Sequence, residues 1–236
     1  MEKPGLKERS AAVICGILIL LIILITATQT LCYWIPGWWR NEYAKYDTPS
    51  NVNGEMSLDD AVYITEQMLE YCIGRIDTLD DTMATIDGKE VQFFTEREKL
   101  HLSDCRNIFM AAVKVRAISI AVLIILMILT ALSCRRSSWN YARLMAGGYL
   151  KSLLVIAVLA AGIIAIGMHD FTYLFTKFHH VFFDNDLWIL DPRHDNLINV
   201  MQEDVFSDAA VTIGSITGGC AGLLALISAI ILRRSR

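Results

Sequence analysis

Ionisable residues are nearly missing from four long stretches of this chain, and the motifs of the commonest enzyme classes are missing altogether. There is no GxSxG nucleophile elbow, no HExxH and no glycine-rich phosphate loop. Serine-triad hydrolysis, zincin chemistry and nucleotide-dependent transfer thus lose their best supports. No CxxC pair or zinc-ribbon spacing occurs among the six cysteines. Cys15, Cys134 and Cys220 sit in or at the ends of apolar spans, with Cys32 near the end of the first. Cys72 and Cys105 fall in polar sequence, where one disulfide is possible but not required by spacing. The plainest reading of all six is small apolar residues. The near absence of charge from the spans also disfavours a transporter, whose pathway needs buried ionisable groups.

What remains is strongly apolar. The 236 residues are 54% hydrophobic, with a mean hydropathy of +0.43. This places the chain among membrane proteins. Spans are expected at 11–35, 108–134, 150–168 and 209–232, each near the roughly 20 apolar residues that cross a bilayer as helix. The first span resembles a signal peptide in its basic start, but its length and the belt of Trp34, Trp38 and Trp39 favour an uncleaved anchor.

Charge sets the orientation. Lys3, Lys7, Arg9, Arg135, Arg136, Arg143, Lys151, Arg233, Arg234 and Arg236 fall on one side, with only Glu2 and Glu8 as acids. By the positive-inside rule the termini (1–10 and 233–236) and the connection 135–149 are cytoplasmic, while 36–107 and 169–208 are extracytoplasmic. The expected architecture is an all-α integral membrane protein, a four-transmembrane-helix bundle with a small extracytoplasmic domain built from two long loops. All five histidines then lie outside.

Within the first loop Pro36-Gly37 ends a helix, and Ser57 with Asp60 opens a capping box before an amphipathic helix. Its apolar positions are Leu58, Ala61, Ile64, Met68, Leu69, Cys72 and Ile73. Asp87-Gly88, between Ala84–Ile86 and Val91–Phe94, reads as a tight hairpin. Thr95 and Glu98 form a second capping box, whose helix runs uninterrupted into the second span. On it His101, Asp104 and Cys105 share a face, with Arg97 and Glu98 one turn before. The second loop shows no obvious regular structure, and Ser207 is the expected cap of the last helix. Ala157, Ala161 and Ala165, and Gly214, Gly218 and Gly222, recur every fourth residue and would let the last two spans pack closely.

Chemistry concentrates in FTKFHHVFFDNDLWILD (Phe175 to Asp191) and TEREKLHLSDC (Thr95 to Cys105). A carboxylate beside an imidazole orients it and raises its basicity, so Asp104 is expected to reach His101. The acids of DNDLWILD read either as a solvated face or as a cation site, although Leu187 to Leu190 interrupt any regular calcium loop.

These segments carry a resemblance. FFTEREKLHLSDC (Phe93 to Cys105), FHHVFFDNDLWILDPRHDNLI (Phe178 to Ile198) and QEDVFSDAA (Gln202 to Ala210), with the four-span layout, resemble the bacterial lipoprotein intramolecular transacylases of low-GC Gram-positive bacteria. Cys105 stands where an aliphatic residue is expected. The resemblance implies a multi-pass enzyme of the bacterial cytoplasmic membrane. It would move the sn-2 acyl chain of a diacylglyceryl-modified lipoprotein to the α-amine of its N-terminal cysteine, giving the lyso-form lipoprotein. It implies His101 and His179 as the catalytic pair, with His180 the alternative to His179. On this reading His101, supported by Asp104 and Glu98, is base and His179 is acid or oxyanion donor, or the reverse. Asn185 would donate to a carbonyl oxygen, and Phe182, Phe183 and Trp188 would hold acyl chains. Aminolysis within one molecule needs no external cofactor and no metal, and the working unit is expected to be a monomer. The competing readings are a metal-dependent membrane lipid or phosphate-ester hydrolase using the same histidines, and a non-enzymatic extracytoplasmic sensor or assembly protein.

Overall fold

The computed structural model describes residues 4–137 and 140–234. The expected cytoplasmic segments 1–10, 135–149 and 233–236 therefore lie partly outside the described residues. In chain order the elements are α1 (Leu6–Trp34), α2 (Trp38–Lys45), α3 (Leu58–Cys72), β1 (Met83–Ile86), β2 (Lys89–Gln92) and α4 (Glu96–Ser137). They continue with α5 (Tyr141–His169), α6 (Phe171–Phe182), α7 (Leu197–Val200) and α8 (Glu203–Arg234). Helices α1, α4, α5 and α8 are the four among the described residues that are long and apolar enough to cross a membrane. They contain the expected spans except Ile35, which lies one residue beyond α1. The chain divides into two compact units, Met1–Thr28 with Val113–His169 and Thr212–Arg236, and Gln29–Ala112 with Asp170–Val211.

In the first unit α1 and α5 approach closely. A Cβ added to Gly148 would come within 2.5 Å of the Ala12 backbone, and one added to Gly16 would meet Ser152 at 2.5 Å. The missing side chains allow Ser152 Oγ to donate to the Val13 carbonyl at 2.7 Å. Tyr149, also on α5, donates its hydroxyl to the Ala221 carbonyl of α8 at 2.8 Å. The stripes expected to pack do not. A Cβ on Gly214, Gly218 or Gly222 would meet nothing within 4 Å, and Ala157, Ala161 and Ala165 are exposed. Small residues permit close approach only where a partner helix arrives. Gly148→Val is accordingly expected to destabilise the protein by about 2 kcal/mol through overpacking. Gly162→Ala, which faces open space, serves as the control. Thermal unfolding in detergent would report both.

In the second unit Ser57 caps its helix but the reciprocal half of its box is replaced, the Ser57 hydroxyl donating to Asp60 Oδ2 at 2.7 Å. Asp60 N donates to Ser57 Oγ at 3.0 Å, starting α3, which buries Ala61, Ile64, Thr65, Met68, Leu69 and Cys72. Against that face lies Tyr43 of α2, fully buried, its hydroxyl 2.5 Å from Thr65 Oγ1. The hairpin turns at Asp87 and Gly88, with φ of 52° and 70°, as a tight turn matched to strand twist requires. Its second strand is Lys89–Gln92 rather than Val91–Phe94, because Ile86 pairs with Lys89 directly across the turn. Cys72 and Cys105 are free thiols.

The second loop differs from expectation. It holds the twelve-residue α6, whose N-cap Asp170 accepts from Tyr173 N at 2.8 Å. Rings at every fourth position stabilise it, with Phe171 and Phe175 stacked at 6.2 Å and Phe175 4.3 Å from His179. Their face is apolar enough to override the weak helix propensity of aromatic residues. Ser207 is not the last cap either. Helix α8 begins at Glu203, where Glu203 and Asp204 complement the positive end of the helix dipole.

Candidate active site

The site is assembled from the first turns of α4, from α6 and from the loop that follows it. At about 1.5 Å per residue, the 42 residues of α4 extend roughly 63 Å, about twice the hydrocarbon thickness. Its charged first three turns accordingly precede the apolar span at 108–134.

Thr95 and Glu98 define where α4 starts. Thr95 N donates to Glu98 Oε2 at 2.6 Å, and Glu98 N donates to Thr95 Oγ1 at 3.3 Å. Glu98 is fully buried, and its Oε1 also accepts from Leu197 N at 2.5 Å. Burial pushes its carboxyl up, while the N–H bonds from Leu197 and Thr95 oppose that rise. Glu98 therefore supports the site by pinning α4 to the start of α7 rather than by touching an imidazole.

His101 and His179 come together. Their ring centroids lie 6.2 Å apart at an interplanar angle of 32°, and each is buried. Phe183 bridges them, 5.0 Å from His101 and 5.6 Å from His179. Trp188 also stacks on His179, at 4.7 Å. His179 Nδ1 lies 2.7 Å from the Phe175 carbonyl. A carbonyl only accepts, so Nδ1 carries the hydrogen and Nε2 of the neutral ring presents a lone pair. On His101, Nε2 lies 3.6 Å from Cys105 Sγ, and Nδ1 is buried without a partner.

Electrostatics keep both rings uncharged near neutrality. His101 is pushed down to about 4, first by burial and then by His179 and Arg97, with Asp104 opposing. His179 is also lowered, mainly by burial, against the bond to Phe175. The unfolded chain, with histidines near 6.5, takes up protons before the folded one does. Stability is thus expected to fall as pH drops from about 6.5 towards 4. His101→Gln should flatten that fall, as measured by thermal unfolding at stepped pH.

Other expected site residues stand elsewhere. Asp104 does not hydrogen-bond the imidazole of His101. It accepts from Asn185 Nδ2 at 2.9 Å, and Asn185 Oδ1 accepts from Leu187 N at 3.0 Å. The pair thus closes the loop after α6 onto α4. Arg97, passed over as a site residue, does the same by donating to the carbonyls of Asp186 and Ile189. Its place one turn before His101 is the signal that would have found it. Phe182 is exposed and packs on Phe178 at 4.6 Å, away from the imidazole pair. His180 is exposed too and meets the edge of Trp188 at 5.2 Å, so His179 is the member of the doublet beside His101. Asp184 and Asp186 are exposed, and Asp191 pairs with Arg193 at 2.7 Å. Among the described residues no three His, Cys, Asp or Glu side chains are grouped as a bound metal would require.

A model of the family "Lipoprotein intramolecular transacylase Lit" matches residues 13–206. The chain belongs to that family. Solved structures share the fold. The membrane integral lipoprotein intramolecular transacylase Lit from Bacillus cereus superposes with a TM-score of 0.76 at 17% identity, over 99% of each chain. Two further structures of the Bacillus cereus protein carry a histidine changed to arginine or to alanine. Their TM-scores are 0.70 and 0.68 at 18% identity, covering 98% of this chain and 94% and 96% of theirs. No curated protein sequence matches the chain.

Proposed function

We propose that this membrane-integral enzyme transfers the sn-2 acyl chain of a diacylglyceryl-modified lipoprotein to the α-amine of the same N-terminal cysteine, using His179 and His101. The observation that carries this reading is the pair itself: two neutral rings 6.2 Å apart, one with a free lone pair and the other with an unpartnered buried nitrogen. The roles are the reverse of those first favoured from sequence. His179 Nε2 acts as base, since the Phe175 carbonyl stabilises the hydrogen on Nδ1 as the ring becomes positive. His101 faces the oxyanion, and Asp104, engaged by Asn185, holds the loop instead of raising a base.

The step balances within one molecule. The amine attacks the ester carbonyl, a C–N bond forms and the C–O bond to the glyceryl group breaks. The amine's proton passes by way of His179 to the departing glyceryl oxygen. The product is an isomer of the substrate, so no co-reactant is consumed. Phe183 and Trp188 form the apolar wall beside the reacting carbonyl, and tethering of nucleophile to ester supplies much of the rate. The charge asymmetry of the connections supports cytoplasmic termini and an extracytoplasmic site.

The test is mass spectrometry of a model lipoprotein's N-terminal peptide after incubation of its diacylglyceryl form with purified protein, chelator present. An isomeric peptide bearing an amide-linked chain is the expected product. Release of free fatty acid in a parallel incubation without chelator, and not with it, would instead indicate the metal-dependent hydrolase. An unchanged peptide with folded protein in suitable lipid would sink the transacylase.

A further inference from the structure

The hydrogen on the second imidazole is not assigned by any oxygen neighbour. Its two nitrogens differ: Nε2 of His101 lies 3.6 Å from Cys105 Sγ, one turn along α4, and Nδ1 is buried with no partner. A neutral imidazole carries one hydrogen, and the neighbour of one nitrogen decides which. Sulfur is a poor acceptor, whereas a bare imidazole nitrogen is a good one, so S–H directed at Nε2 is the better pairing. Burial pushes the Cys105 thiol up to about 12, which keeps that donor protonated throughout the neutral range.

We propose that Cys105 is a positioning residue, which donates its thiol hydrogen to Nε2 of His101 and thereby fixes the ring hydrogen on Nδ1. The inference rests on the transacylase reading of the pair. With the hydrogen on Nδ1, the unpartnered nitrogen is an N–H donor available to the developing oxyanion. With the opposite tautomer it would offer a lone pair to a negative charge. An unsatisfied buried donor is rare, and completion by a substrate oxygen explains its retention. The two rings then hold complementary states, since His179 has its hydrogen bound to Phe175 O and presents a base.

The full-length protein, labelled with 15N-histidine in lipid nanodiscs, provides the direct readout, because proton–nitrogen couplings distinguish the two tautomers. Wild type, Cys105→Ser, Cys105→Ala and Cys105→Val would be compared, together with their acyl-transfer rates on a model lipopeptide. His101 of the wild type should carry its hydrogen on Nδ1. Serine, which keeps a donor, should preserve that state and stay within about threefold in kcat. Alanine and valine should lose the preference, with kcat falling about tenfold and KM unchanged, in the range seen when a group that orients a functional imidazole is removed. A wild-type hydrogen on Nε2 overturns the proposal. So does retention of tautomer and rate in both Ala and Val, or a serine variant as slow as alanine, which would mean packing alone. Should no acyl transfer be seen with wild type, the functional reading fails, while the tautomer still reports on Cys105.

Discussion

His179→Ala is expected to slow acyl transfer by roughly 10²- to 10⁴-fold, the loss typical of a positioned general base. The ammonium of an N-terminal cysteine, at about 8, is a weaker acid than imidazolium, at about 6.5, whereas the nitrogen becomes far more acidic once it has attacked the carbonyl, so the base matters most in the step where the proton leaves the attacking nitrogen. His179 is suited to that step because its Nδ1 is already committed to Phe175 O at 2.7 Å. Its aim is set by stacking with Trp188 and Phe183. His101→Ala should cost about 10²- to 10³-fold, as for loss of one oxyanion donor. The double variant should be little worse than the poorer single one, because residues acting as a unit are not additive. Single-turnover rates on a diacylglyceryl lipopeptide would measure all three. Retention of wild-type rate in a folded His179 variant would remove the base assignment.

Glu98→Ala should produce the largest loss of stability. The carboxylate is fully buried and is the acceptor for Thr95 N and Leu197 N. Truncation leaves both N–H groups without that partner, at about 1–3 kcal/mol each, or about 2–6 kcal/mol in total. Glu98→Gln keeps one acceptor oxygen and should lose roughly half as much. Thermal unfolding in detergent is the measurement. A drop within error of zero for Glu98→Ala would show that water replaces the carboxylate. Activity should fall with stability, since the first turn of α4 aims His101 one turn later.

Much of this architecture is readable from local pattern. Span length, the Ser57 cap, the Thr95–Glu98 capping box and the Asp87-Gly88 turn are consequences of nearest-neighbour chemistry, and each appears in the fold. The spacing of three and then four residues from Glu98 to His101 to Cys105 puts them along one side of a helix in any conformation that keeps the helix. Where the reading erred, the deciding partner was distant in sequence. Helix α6 is driven by ring stacking along a face whose aromatic residues individually disfavour helix. The glycine and alanine stripes of the last two spans were motifs without a facing helix, whereas Gly16 and Gly148 met real neighbours. Asp104 was expected to serve His101 because the two are three residues apart, but Asn185, 81 positions away, takes the carboxylate.

The sequence by itself determined that the chain crosses a membrane four times and that a helix carrying His101 begins at a capped Thr95. It also determined that aromatic rings and histidines gather after the third span. These follow from hydrophobic length, hydrogen-bond capping and composition, which act over a few residues. Only the tertiary structure decided that His179, not His180, stands beside His101, that Phe183 packs against both rings, and which imidazole nitrogen is free. Those depend on the turn of α6 that lands against α4 and on the single backbone carbonyl that claims Nδ1. A difference of one residue rotates a helical side chain by about 100°, and only packing selects the rotation.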